Sequence, residues 1–133
     1  MANPTGITDL KALIINMEPV LNKGEYIFAS VPDTTAIPRE MTVCEIKEKE
    51  GVTVVVSKKD AEKLGLPFEF VASWITLNIH SSLAAVGLTA AFSAELAQHH
   101  ISCNVIAGYY HDHIFVQSDV AEQAMHALGE LRD

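Results

Sequence analysis

The 133-residue chain is 49% hydrophobic and 20% charged, with 17 acids against 9 bases and a formal net charge of −8. A chain of this length buries roughly two-thirds of its unfolded surface, as one domain or as two very small ones sharing a core, and it is too apolar for intrinsic disorder. Its acidity excludes a nucleic-acid or anionic-membrane surface, which needs clustered Lys and Arg; residues 70–133 hold six acids and one base, Arg132.

Thr8 is placed to cap a first helix, in which Leu10, Leu13, Ile14, Met17 and Leu21 recur at three- and four-residue intervals. Pro19 predicts a break or kink within it, and Gly24 ends it. Residues 25–31 (EYIFASV) are aromatic and β-branched, the composition of a strand. A loop with two prolines follows, then a hairpin of 42–49 and 52–56 around Glu50-Gly51. The KEKE run within it is an exposed edge. Ser57 with Asp60 predicts a capped short helix, stopped at Gly65 and barred from continuing by Pro67.

The back half has the plainer pattern. A strand spans most of 68–79 and contains the only tryptophan, Trp74. Residues 83–99 form a helix with Leu88, Phe92 and Leu96 on one face. Strands at 101–110 and 113–117 flank a turn at His111-Asp112. Ser118 or Asp119 then caps a last helix, with Val120, Ala124, Leu128 and Leu131 facing inward. No linker separates the halves, which divide at residues 1–67 and 68–133.

The cysteines, Cys44 and Cys103, lie in apolar runs and act as small hydrophobes rather than a disulfide framework. The first residues lack the basic and apolar regions of a secretory signal, and no apolar run reaches the roughly 18 residues of a membrane span. The expected location is the cytoplasm.

From residue 70 the order is β-α-β-β-α, one strand short of a ferredoxin-like module, whose helices lie on one face of an antiparallel sheet. The surplus strand 25–31 of the front half is a candidate for the missing one. The expected fold class is α+β, with two intertwined halves.

Trp74 to Leu131 resembles the ACT-type regulatory domains, small modules that often bind amino acids. The likeness rests on the strand WITLNI, the small-residue loop entering a helix through Gly87 (AAVGLTAAFSAEL), the strand ISCNVIAGYY, the hairpin YYHDHIFVQ and the terminal helix. With DLKALIINMEPVL and FASVPD near the front, the chain is similar to small proteins with two ACT-like halves. It departs from the family at His80, Ser81 and Ser82, where many ACT domains have an Asp-rich, Pro-containing turn.

Glycine at the start of a helix lets the backbone approach a small molecule, and the unpaired first-turn amides suit a carboxylate. The α-carboxylate of an amino acid is therefore expected against the amides of Val86 to Thr89, with Ser82, Ala85, Gly87 and Leu88 around it and Asn104 in reach. Against this stand ordinary structural roles: close packing at Gly87, a solvent-facing Asn104, and helix caps at Ser81 and Ser82.

All six histidines lie in the back half. His111-Asp112-His113 could serve a small hydrolase or transferase, the alternative reading, but no third metal ligand stands at a defined spacing. His99-His100 suits a helix C-terminus. The chain has no nucleophile elbow, P-loop or dinucleotide fingerprint. The expectation is a non-enzymatic sensor with no cofactor and no metal. It would take an amino acid between its halves, pass the change to a protein partner, and exist as a monomer or homodimer.

Overall fold

The computed structural model describes residues 10–78 and 87–132. The Thr8 cap and residues 79–86, which carry the His80–Ser82 departure and the start of the helix predicted at 83–99, lie outside them. Helix α1 (Leu10–Asn16) buries Leu13, with Leu10 and Ile14 packed beside it, as their spacing requires. It ends earlier than the apolar spacing predicted. Glu18–Leu21 form strand β1, antiparallel to β5 (Val71–Asn78). Pro19 decides this, because a proline cannot donate to a continuing helix but is tolerated in a strand at the sheet margin.

The chain divides into two compact units, residues 1–22 with 74–133, and residues 23–73. Strand β5 belongs to both, passing from one to the other between Ser73 and Trp74.

The unit of residues 23–73 contains β2 (Tyr26–Val31), a single 3-10 turn (Arg39–Met41), β3 (Thr42–Lys47), β4 (Val52–Ser57), helix α2 (Lys58–Leu64) and the first residues of β5. The strand order is β3-β4-β2-β5, all antiparallel. Alternation sends Ile27, Ala29, Val54 and Val56 to one face, where they pack with Ile37 and Ala61. The predicted cap is present: the Asp60 amide donates to Ser57 Oγ at 3.1 Å, and Gly65 closes α2 at φ 68°. Residues 25–31, considered above as a closing strand for the back half, pair here with β4 and with Val71 and Ala72.

The other unit joins α1 and β1 to the remainder of β5, helix α3 (Leu88–Gln98), β6 (Asn104–Ala107), β7 (Asp112–Gln117), a 3-10 turn (Ser118–Val120) and helix α4 (Ala121–Arg132). Its strand order is β1-β5-β7-β6. Strand β1 occupies the position of the missing fourth strand, so the unit takes its closing strand from the start of the chain. The helices cover one face, burying Ile75, Leu77, Ile114 and Val116 under Leu88, Phe92, Leu96, Ala124 and Leu128. The strand predicted over 101–110 shortens to four residues, because Ile101 turns inward to end α3 and Gly108 begins the hairpin turn. Each unit thus has the strand order of an α+β, ferredoxin-like antiparallel sheet, with one α-helix in the unit of residues 23–73 and three in the other among the described residues.

Among the described residues, no helix is long and apolar enough to cross a membrane. Both cysteines are free and half-buried. Burial lifts the Cys103 thiol to about 11, and burial followed by the Glu45 carboxylate raises Cys44. Both shifts favour the protonated thiol over the thiolate.

Candidate functional site

Gly87 is the N-cap of α3, at φ 95° and ψ −17°, a left-handed conformation that favours glycine. No side chain among the described residues caps the helix there, so the amides of Leu88, Thr89 and Ala90 lack the usual Ser, Thr or Asp partner. Leu88 turns its side chain into the core at 2% exposure, while Thr89 is exposed. A Cβ on Gly87 would stand 3.2 Å from Leu10 Cδ2, so α1 packs directly against this corner. The backbone angle therefore favours glycine whether or not a ligand binds, and a Cβ would require Leu10 to shift by a few tenths of an ångström.

Of the predicted binding residues, the structure brings Gly87, Leu88 and Thr89 together at the first turn of α3. Ser82, Ala85 and Val86 lie outside the described residues. Asn104 opens β6, and its side-chain amide donates to the Phe115 carbonyl at 3.2 Å across the β6–β7 pair. That bond occupies one of its two amide hydrogens.

The His111-Asp112-His113 segment has a different character from the one its composition suggests. His113 projects from β7 on the same side as Trp74, and the Trp74 indole donates to its Nδ1 at 3.0 Å. The Thr76 hydroxyl lies 3.2 Å from the same nitrogen and itself accepts from Asn22 Nδ2 at 2.9 Å. Trp74 also stacks on Phe115, with ring centroids 6.1 Å apart. His113 Nδ1 is thus an acceptor in a half-buried cluster. Sequence spacing gave no hint of it, since the partners stand 39 and 37 residues apart. Among the described residues, His111, Asp112 and His113 do not gather into a set of converging metal donors.

Burial lowers the His113 pKa from 6.5, the neighbouring His111 lowers it further, and Asp112 opposes them. Asp112 itself is raised by burial, against His113. The native state therefore disfavours the imidazolium, which would also lose the indole hydrogen bond. The unfolded chain takes up the proton more readily, so His113's contribution to stability is complete above about 6.5 and is lost as pH falls through its native midpoint. Since Trp74 is the only tryptophan, its fluorescence should titrate with a midpoint below 6.5. The transition should vanish in His113→Gln; a midpoint at or above the ordinary value would contradict this environment.

A crevice of about 410 Å³ in the unit of residues 23–73 is lined by Lys23, Tyr26, Lys58 and Lys59 among others, and none of the predicted binding residues lines it.

Comparison with known proteins adds a consistent set of findings. ACT domain family models match residues 5–73 and 69–130. A solved structure of a Vibrio cholerae protein of unknown function, described as a possible transport protein, is 45% identical, with a TM-score of 0.85; the match covers 97% of this chain and 100% of that one. A protein from Agrobacterium tumefaciens is 17% identical, at a TM-score of 0.67 over 87% of this chain and 89% of that one. The ligand-free regulatory subunit of aspartate kinase from Thermus thermophilus is 11% identical, at a TM-score of 0.62 over 85% of this chain and 95% of that one, a likeness of fold alone. No curated protein matches the sequence. With two family matches that together span residues 5–130 and a ferredoxin-like strand order in each unit, this protein belongs to the ACT domain family, as a chain carrying two ACT domains.

Proposed function

We propose that the protein is a non-enzymatic regulatory module that binds an amino acid at the first turn of α3. The observation that carries this is the uncapped helix start at Gly87, whose left-handed backbone presents the Leu88 and Thr89 amides without a side-chain acceptor among the described residues. A carboxylate there would satisfy those donors and meet the positive end of the helix dipole. Family membership supports the reading, because ACT domains often bind amino acids and act as regulatory modules. Asn104 would present its remaining amide hydrogen to the ligand. Ligand binding would shift the population of conformations that a protein partner senses.

The hydrolase or transferase reading draws less support, since His113 Nδ1 already accepts a hydrogen bond from Trp74. Nor does any observation bring the Ser, His and Asp side chains of the described residues into a catalytic arrangement.

The test is a thermal-shift series of the full chain with each of the twenty amino acids. A ligand at 100 times its dissociation constant adds about 2.7 kcal/mol to stability. Thr89→Glu is the informative variant. An acid in the first turn favours the helix by roughly 0.3–1 kcal/mol but repels a ligand carboxylate. The expected result is an unliganded melting temperature no lower than wild type, with the ligand-induced rise abolished. If no amino acid raises the melting temperature of the wild-type chain, the proposal fails.

A further inference from the structure

Glu95 and His99 are four residues apart at the end of α3, and His126 and Glu130 are four apart on α4. Side chains at that spacing lie one above the other on a helix face. The two faces meet. His99 Nε2 stands 3.3 Å from Glu95 Oε2 and 3.4 Å from Glu130 Oε1, and His126 Nε2 stands 3.7 Å from Glu130 Oε2. One donor atom from each of Glu95, His99 and Glu130 lies within 4.8 Å of the other two.

These separations are long for charge-assisted hydrogen bonds, which run at about 2.7–2.9 Å. The two separations from His99 do match the edge of a tetrahedral shell. Nitrogen and oxygen ligands about 2.0–2.2 Å from a zinc ion stand roughly 3.3–3.6 Å from one another. Among the described residues, the ion pairs of Glu95 and Glu130 are all with imidazoles, so no lysine or arginine neutralises the two carboxylates. The backbone beneath is fixed. The Ile101 amide donates to the Leu96 carbonyl at 3.0 Å and the His100 amide to Ala97 at 2.9 Å, with His100 held at φ 61°. That closure sets His99 at the C-cap of α3, where the negative end of the helix dipole favours a cation.

We infer that Glu95, His99 and Glu130 form a one-imidazole, two-carboxylate site for a divalent transition-metal ion, with zinc as its representative, clamping α3 to α4. Mixed imidazole and carboxylate donors suit zinc, nickel or copper rather than magnesium or calcium. The site is separate from the first turn of α3 and independent of the amino-acid proposal.

The experiment titrates zinc chloride into the chelator-treated full chain by calorimetry, with the melting temperature followed in parallel. The expected result is saturable binding of one ion per chain and a higher melting temperature. His99→Ala and Glu130→Gln should each weaken binding at least tenfold while leaving the metal-free melting temperature close to wild type. His111→Ala should leave binding unchanged. Cobalt should give the intense visible absorption of a tetrahedral site, lost in His99→Ala. Absence of zinc binding, or binding that survives both site variants, or binding removed by His111→Ala instead, would overturn the inference.

Discussion

Phe92→Ala is expected to lower stability by about 3–5 kcal/mol. Phe92 is fully buried at the centre of α3, among Ile75, Leu77, Ile114, Leu96 and Leu128 of one core. Truncation removes the transfer energy of the ring and leaves a cavity that two sheet strands and two helices cannot close without moving. A loss of that size is a large fraction of the roughly 5–15 kcal/mol that holds a typical domain together. Ile15→Ala is the comparison. Ile15 is 55% exposed on α1, so its truncation should stay within about 0.5 kcal/mol. Urea titrations of both variants check the contrast. Similar midpoints would mean that α3 does not organise this core.

Gly87→Val should also destabilise the chain, by about 2–3 kcal/mol. A side chain at this position could block a ligand while sparing the fold only if its backbone angles permitted one, and they do not. At φ 95° a β-branched residue is strained, and its Cβ would press Leu10 Cδ2 at 3.2 Å. Leu10→Ala in the same chain should recover only the packing part of the loss, leaving the backbone cost. Equal stability of Gly87→Val and wild type in urea would show that the corner relaxes. For this reason Thr89→Glu, which leaves both the glycine and its packing intact, is the cleaner probe of ligand binding.

Much of the local architecture was legible in the chain. The Leu88, Phe92 and Leu96 spacing marks the buried face of α3, and all three are buried. The Ser57–Asp60 cap and the Gly65 stop are equally local, since each depends on atoms a few residues apart. The break at Pro19 was local too, but the strand that follows it was not. Pro19 sits inside an apolar helical spacing, and its missing amide ends the helix there, while the choice of strand beyond it depends on β5 offering a partner.

The candidate sites divide along the same line. Gly87 could be singled out because a glycine before an apolar helical run has few conformational alternatives. Its contact with Leu10 could not, since it joins residues 77 positions apart. His111-Asp112-His113 is a run of chemically active residues in the sequence, yet in the fold the His113 Nδ1 is engaged by Trp74 and Thr76. From the sequence His99 is placed only at a helix C-terminus, and Glu95/His99 and His126/Glu130 have no more than a shared four-residue spacing. That the pairs face each other depends on how α3 packs on α4.

By itself the sequence determined an acidic chain of 133 residues with amphipathic helices, short strands and the pattern of two ACT-like halves. Composition, periodicity and capping act over a few residues, so they can be read without knowing the fold. Only the tertiary structure decided how that length divides. The units do not follow the midpoint: residues 1–22 join 74–133, and β1 supplies the strand that the back half lacks. Strand pairing is a contest between distant partners, settled by which backbone groups and apolar faces can be satisfied together, and no local signal in the chain records its outcome.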